Sequence, residues 1–405
     1  MFKRGLKTHT FFLFAYWHDS RWKKFVGATV KIWDLAHNLT RLGHEVVLFL
    51  PKYNFGNNKL PFKKIEVPVL NFPLLRSLSF NFFLTISLLS FLFEKRPDVV
   101  YMRRMGTIIP ALYARLQKAI FFYEVNDDPY KKHHHEGSRI TFFLRTLIST
   151  KQDEINLKLC TRAFVITPEI VKKILRQNPS LQEKKVMVMP SGTNIDLFKP
   201  LNKLECRSRL RIDPQKKYIG FAGTLLKHQG VDVLIDASSL ILSKEPQSVF
   251  YVIGEGPMKE VWLKKVKAKG LDHSFFFLGQ IDYERMPIWI GAMDICVAPF
   301  LKSTGFRSPV KIFDYMASGR AVVASRIEGT TDVFSNYGAV KLVEAGNVEM
   351  LADAIVVLLN NRKKADKMGE KGRMLVVTEY DRQSIAKRVS DEVISCQSSR
   401  LNITY

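Results

Sequence analysis

The 405-residue chain reads as an α/β protein with two Rossmann-like, doubly wound domains facing a central cleft. Three observations predict that class. The length is about twice that of a usual domain of roughly 100–200 residues. Short apolar runs alternate with segments of helical period along the whole chain. The alternation restarts after one breaker cluster, Pro190-Ser191-Gly192-Thr193-Asn194, so one series of βα units follows another.

The first series opens with an apolar strand at residues 10–15. A polar loop leads to Gly27, and Ala28, Ile32, Leu35, Ala36, Leu39 and Leu42 fall at helical spacing. Gly43 stops that helix as a left-handed C′ residue would. Residues 45–50 form the next strand, and strand–helix–strand implies a right-handed crossover and a parallel sheet. Strands follow at 98–102, 120–125, 162–167 and 185–189, with a helix opened by Pro168. Residues 77–93 carry no charge over 17 positions. That is short of the roughly 20 residues needed to cross a membrane, and apolar residues lie all round the wheel, so burial on most sides is expected, in a buried or partly interfacial helix ahead of the next strand.

The second series has strands at 218–222, 250–253, 275–278, 293–298, 321–325 and 339–343, with a helix at 231–242 after the first. Ligands of such sheets bind beyond the carboxyl ends of the strands. The loops after Gly223, Ile253, Leu278 and Pro299 are therefore where chemistry is expected. The predicted domains are 1–190 and 191–378, with a helix in 379–405 packing back on the first.

Composition narrows the function. Apolar residues make up 46% and charged residues 25%, a globular mixture. The net charge is +24. Residues 1–200 hold 32 basic and 15 acidic side chains, so most of the excess lies in the first half and favours an anionic partner. Cys160, Cys206, Cys296 and Cys396 are widely spaced, which argues against a disulfide framework or structural zinc and for a reduced, cytoplasmic setting. The apolar stretch after the N-terminus lacks a cleavage site and reads as a strand rather than a signal peptide. There is no GxGxxG after the first strand and no GxxxxGK[ST], which disfavours a dinucleotide oxidoreductase and a P-loop NTPase. No nucleic-acid module is present, so no nucleic-acid partner is expected.

The most informative stretch is 300–325. Ser308 reads as an N-cap and Pro309 as the first helical residue, with Gly319 closing the helix. Such an N-terminus is an anion site, Lys311 in the first turn reaches a phosphate, and Asp314 suits a vicinal diol. Phosphate beside a diol outlines a nucleoside diphosphate, though a packing helix with solvated Lys311 and Asp314 reads the same way. The loop from Gly223 through Thr224 and Lys227 to Gly230 allows close backbone approach and offers Lys227 to a phosphate. His133-His134-His135 reads as a solvated loop, because adjacent residues rarely converge on one ion.

In order and spacing these segments resemble family 4 glycosyltransferases of the two-domain GT-B architecture, over nearly the whole chain. The resemblance rests on Gly223-Thr224-Leu225, Gln229-Gly230-Val231-Asp232-Val233-Leu234-Ile235-Asp236-Ala237, Ile253-Gly254-Glu255-Gly256-Pro257, Phe277-Leu278-Gly279, Ala292-Met293-Asp294 and 314–325. It implies transfer of a sugar from a nucleotide-sugar to an acceptor, with retention of anomeric configuration and without a metal or other cofactor. It places the donor on the second domain and the acceptor, a lipid-linked or cell-surface glycan precursor, on the first. An anionic membrane surface at the cytoplasmic face is a further expected partner.

The implied donor set is Gly27, Gly223, Thr224, Lys227, Gly279, Gln280, Phe306, Arg307, Ser308 and Asp314, with the 279–283 loop facing the base. The implied catalytic set is Lys311, Asn126 and Asp127; Asp127 and Asp128 either bind hydroxyls or cap a loop. Thr224 and Gln229 stand where the family usually has Arg and Lys, and Phe306 stands where it has a carboxylate. Those departures leave open a degenerate copy that binds without turnover.

Overall fold

The structure is a computed structural model that describes residues 8–16, 27–52, 60–70, 72, 75–126, 129–130, 139–302, 309–328 and 330–401, with backbone alone at 27–30, 139–146, 332 and 399–401. The chain divides into two units: residues 1–191 with 382–405, and residues 192–381.

In the first unit the order is β1 (Thr10–Phe14), α1 (Gly27–Arg41), β2 (Glu45–Pro51), β3 (Lys63–Val67), α2 (Leu75–Glu94), β4 (Val99–Arg103), α3 (Ile109–Leu116), β5 (Ile120–Val125), α4 (Arg139–Leu159), β6 (Arg162–Val165), α5 (Pro168–Gln177) and β7 (Val186–Val188). The seven strands form one sheet in the order β3-β2-β1-β4-β5-β6-β7. Every pairing is parallel. A parallel sheet is covered on both faces, so its central strands are continuous apolar runs. Phe11, Phe12, Leu13 and Phe14 of β1 are fully buried accordingly.

The second unit contains α6 (Lys203–Leu210), β8 (Lys217–Ala222), α7 (Val231–Lys244), β9 (Ser248–Ile253), α8 (Lys259–Ala268), β10 (Phe275–Gly279), α9 (Met286–Ala292), β11 (Ile295–Ala298), α10 (Val310–Ala317), β12 (Ala321–Arg326), β13 (Lys341–Glu344), α11 (Val348–Asn360) and α12 (Arg362–Glu379). Its sheet order, β10-β9-β8-β11-β12-β13, reverses direction between β8 and β11. That reversal is the switch point at which doubly wound sheets take ligands. Two apolar layers cover the sheet: one built on Phe221, Leu234 and Ile355, the other on Tyr218, Phe313 and Tyr315.

The chain then re-enters the first unit through α13 (Arg382–Leu401). Ile385, Ala386, Val389 and Val393 join that unit's core. The helix is fixed by ion pairs of Arg382 with Asp34 and of Arg162 with Glu392, the latter at 2.6 Å.

Three sequence expectations need correction. The edge strand β3, with the sequence KKIEV, was not anticipated: two lysines and a glutamate mask the alternation that marks a strand. Helix α10 starts at Val310 with Pro309 as its N-cap, because Pro309 has ψ 56, outside the helical range. Helix α2 is not buried on most sides. Only Ser79, Phe80, Leu84, Leu88 and Phe91 are buried; these lie on one face, and the opposite face carries exposed leucine, isoleucine and phenylalanine side chains.

Candidate active site

At the carboxyl edge of the second unit's sheet, the loops after β8, β9, β10 and β11 are tied to one another. The Gly223 N–H donates to the Ile253 carbonyl at 2.9 Å, Gly254 to Gly279 at 2.8 Å, and Leu225 to Glu255 at 2.9 Å. The Leu301 N–H donates to the His228 carbonyl at 3.0 Å. This joins the β11 loop to the short 3-10 turn Lys227–Gln229. Gly230, which follows that turn, has φ +69, and a Cβ there would lie 1.7 Å from the Pro299 carbonyl oxygen. Glycine is therefore required sterically and conformationally where the two loops touch.

Lys311, in the first turn of α10, reaches into this edge. Its Nζ donates to Gln229 Oε1 at 2.5 Å. It also lies 3.8 Å from the Phe221 ring centroid and 5.2 Å from that of Phe300. Desolvation pushes the Lys311 pKa well below the ordinary lysine value. The ammonium sits among apolar atoms, stabilised by two aromatic faces and one amide oxygen. A Cβ at residue 223 would stand 2.6 Å from this Nζ. Gly223, with φ +155, thus leaves the lysine its room.

One turn further along α10, the Thr193 hydroxyl donates to Asp314 Oδ1. Thr193 is itself buried, its N–H bonded to the Tyr380 carbonyl at 2.9 Å. The Asp314 carboxylate is thereby oriented rather than freely solvated. The next residue, Tyr315, accepts the Ala222 N–H at 2.7 Å on its hydroxyl, fixing α10 to the end of β8.

The sequence-predicted residues therefore fall into three groups. Gly223, Lys311 and Gly279 meet at the strand ends, and Asp314 stands one turn behind. Thr224, Lys227 and Gln280 are exposed on the loops at the same edge. Phe306, Arg307 and Ser308, together with Asp127, Asp128 and the three histidines, lie outside the described residues. Sequence reasoning missed two partners, Gln229 and Thr193. Gln229 counted there as a lost cation; in the structure it holds one. Among the described residues no group of three or more His, Cys, Asp or Glu side chains is arranged to hold a metal.

In the first unit, Gly27 is the first residue of α1 and Asn126 follows β5. The Asn126 Oδ1 is buried without a hydrogen-bond partner among the described residues. Two positions earlier, buried Glu124 accepts from Lys31 Nζ and from the Tyr101 hydroxyl, the latter at 2.8 Å. Burial pushes the Glu124 carboxyl up, but Lys31, Arg103 and the two bonds outweigh it and hold the pKa below the ordinary value. Glu124 is thus a carboxylate, held at the sheet edge beside Asn126.

Comparison with known proteins matches both units. A profile described as Glycosyltransferase Family 4 fits residues 26–197, and one described as Glycosyl transferases group 1 fits residues 216–361. A poly(ribitol-phosphate) alpha-N-acetylglucosaminyltransferase of Staphylococcus aureus is 26% identical over 178 residues, covering 43% of this chain and 34% of its own. A GDP-mannose-dependent alpha-(1-6)-phosphatidylinositol monomannoside mannosyltransferase of Mycobacterium tuberculosis is 23% identical over 210 residues, covering 50% of this chain and 54% of its own. The match thus spans from a third to just over half of these relatives. Among solved structures, a sucrose-phosphate synthase from Thermosynechococcus elongatus aligns with TM-score 0.77 at 17% identity, over 96% of this chain and 100% of its own. That last likeness is one of fold.

Proposed function

Because the chain belongs to the family 4, group 1 glycosyltransferases, we propose that it transfers a glycosyl group from a nucleotide-sugar to a glycan or lipid-linked acceptor, with retention at the anomeric carbon. The observation that carries the reading is Lys311 held by Gln229 beside Gly223, at the point where the second sheet reverses direction. A lysine kept among apolar atoms at a helix N-terminus is poised to gain from a diphosphate, which restores the solvation its ammonium has lost.

In this reading the C1–O bond to the diphosphate breaks with its electron pair on the phosphate oxygen. The acceptor hydroxyl oxygen bonds C1 from the same face, and its proton leaves with the diphosphate. Lys311, with Lys227 on the neighbouring loop, carries the charge that develops on the leaving group. Backbone N–H groups at Phe306, Arg307 and Ser308 are assigned to the same cradle. Asp314, oriented by Thr193, takes the ribose hydroxyls, and the loop at Gly279 and Gln280 faces the base. Gly27 belongs to the phosphate side, while Asn126 and Asp127 serve the sugar and acceptor. No metal is assigned to any step.

The mannosyltransferase relative's name specifies GDP-mannose and phosphatidylinositol monomannoside. That supports the donor class and a lipid-bearing acceptor here; the anionic membrane surface on the cytoplasmic side is part of the proposal and rests on the basic excess of residues 1–200. Of the three departures that motivate the degenerate reading, Gln229 supports the cation rather than removing one, and relatives named as transferases favour turnover. The test is release of nucleoside diphosphate from UDP-, GDP- and ADP-sugars, with and without glycan and lipid acceptors. Wild type releases it from one donor, and Lys311→Ala slows release at least about a hundredfold. A folded wild type that turns over none of these donors with any acceptor would remove the proposal.

A further inference from the structure

We propose that the second unit carries a binding site for a small phosphate-bearing anion at the amino ends of its strands, on the opposite edge of the sheet from Lys311. The site stands apart from sugar transfer.

It is a cavity of about 200 Å³. β8 begins at its wall with Lys217 and β12 with Ala321, while Asp294 comes immediately before β11. The start of α6, the end of α11 and the first turns of α12 complete the lining. Close packing holds these walls. Gly319, with φ +67, lines the cavity just beyond α10. A Cβ at Gly369 of α12 would stand 2.2 Å from the Gly319 carbonyl oxygen, so glycine is what lets α12 press against that turn. Roughly 10–15 Å³ of such space suffices for a water, so the cavity admits a phosphate group with a substituent.

Charge names the ligand. Lys203, Arg207, Lys216, Lys217, Arg320 and Arg362 line the cavity, against the carboxylates of Asp294 and Asp366. Those carboxylates are already shared out. Asp294 pairs with both Lys203, at 2.5 Å, and buried Arg207, at 2.6 Å. Asp366 lies 3.6 Å from Arg362, and Lys217 pairs at 2.6 Å with Glu245, which is outside the lining. Six cations against three carboxylates, Glu245 included, leave three positive charges in one concave space. Among the described residues, Lys216 and Arg320 have no carboxylate partner.

Arg320 is fixed in place: its Nη2 donates to the Leu201 carbonyl at 2.6 Å and its backbone N–H to the Tyr315 carbonyl at 3.1 Å. Burial pushes its pKa down. A guanidinium stripped of water in this way gains from an anion. The helix at the wall agrees. α12 opens with Arg362-Lys363-Lys364 and has no acidic residue in its first turn, although the positive end of a helix dipole disfavours cations there. An anion at that end compensates the dipole and the basic side chains together. A guanidinium fork and a lysine in a cleft of one sign are the donors that phosphate oxygens take. Leu358 and Leu359 offer an apolar wall to a small organic substituent.

The experiment is titration calorimetry of pyrophosphate and of glycerol 3-phosphate into Lys311→Ala, a background in which the donor edge is disabled. At least one of the two binds at one site per chain, and more weakly as salt is raised. Adding Lys216→Glu weakens binding about tenfold or more, and so does adding Arg320→Gln. Lys267→Glu makes the same charge change on an exposed position of α8, outside the lining, and leaves affinity within about twofold. Arg320→Gln deletes the bond to Leu201 and so strains the fold. Lys216→Glu deletes no bond among the described residues, and its thermal unfolding stays unchanged, so that variant decides.

No binding of either probe to folded Lys311→Ala, binding that Lys216→Glu leaves unaltered, or a loss matched by Lys267→Glu would overturn the proposal. Donor turnover by wild type keeps the two readings apart. A chain that turns over a donor while Lys311→Ala binds neither probe fails only here. One that binds a probe in this way but turns over no donor fails only as a transferase.

Discussion

Lys311 is the residue on which donor binding turns. Its amine is hard to charge where it lies, so its folded-state pKa is lower than its unfolded one. Between those two values the unfolded chain binds more protons, and stability rises with pH across that window. Ligand linkage runs the other way. A bound diphosphate favours the ammonium, so binding takes up a proton and the apparent affinity falls as pH rises through the free protein's Lys311 pKa. Calorimetry in buffers of different ionisation enthalpy reads that uptake directly, and Lys311→Met abolishes it. Replacing Gln229 with Leu removes the bond that orients the amine and weakens nucleotide binding about tenfold, a loss of roughly 1.4 kcal/mol. Unchanged affinity in that variant would contradict the role given to Gln229. The lysine was legible because Ser-Pro-x-Lys places a cation in a helix's first turn. Its partner was not, since the bond joins residues 82 positions apart, and no local spacing records such a contact.

Elements were legible where burial is continuous and obscure where it is partial. The span of β5 could be read without error because all six residues are buried. Edge strand β3 was missed because its charged side chains share the surface with water. The outward face of α2 was misjudged for a related reason: an apolar wheel does not say how many sides a fold will cover. Two substitutions test elements in the second unit. Gly230→Ala places a methyl against the Pro299 carbonyl at a left-handed position and destabilises that unit by about 2 kcal/mol or more, read by chemical denaturation. Asp294 accepts from Lys203 at 2.5 Å, from buried Arg207 at 2.6 Å and from the Tyr218 N–H at 2.8 Å. Asp294→Ala leaves that guanidinium uncompensated and costs about 3–5 kcal/mol. This aspartate was read in the sequence only as part of a family segment; the structure makes it the anchor that ties α6 to β8 and β11.

For the molecule as a whole, two doubly wound parallel sheets could be anticipated from alternation alone, because parallel crossovers leave few topologies; their strand orders, seven strands in the first and six in the second, come from the structure. The stability of the first unit depends on a helix that arrives last in the chain. Removing residues 382–405 deletes Ile385, Ala386, Val389 and Val393 from its core along with the Arg382–Asp34 pair. The truncated first unit is expected to lose its cooperative unfolding transition in calorimetric scans. Acid acts on the same unit through Glu124. Its carboxyl is held below the unfolded value, so the stabilisation is present above that value and is lost as pH falls through the folded pKa. Glu124→Gln flattens the acid limb of the unfolding curve.

The central claim is that the β8–α10 edge of the second unit holds a nucleoside diphosphate. Titration calorimetry of UDP, GDP and ADP, alone and as sugar conjugates, against wild type, Lys311→Ala and Asp314→Ala tests it most directly. One nucleotide is expected to bind and both substitutions to weaken it, the lysine change by about 2 kcal/mol, or roughly 30-fold. A folded, monodisperse wild type that binds none of the three, or binds one with an affinity neither substitution alters, would contradict it.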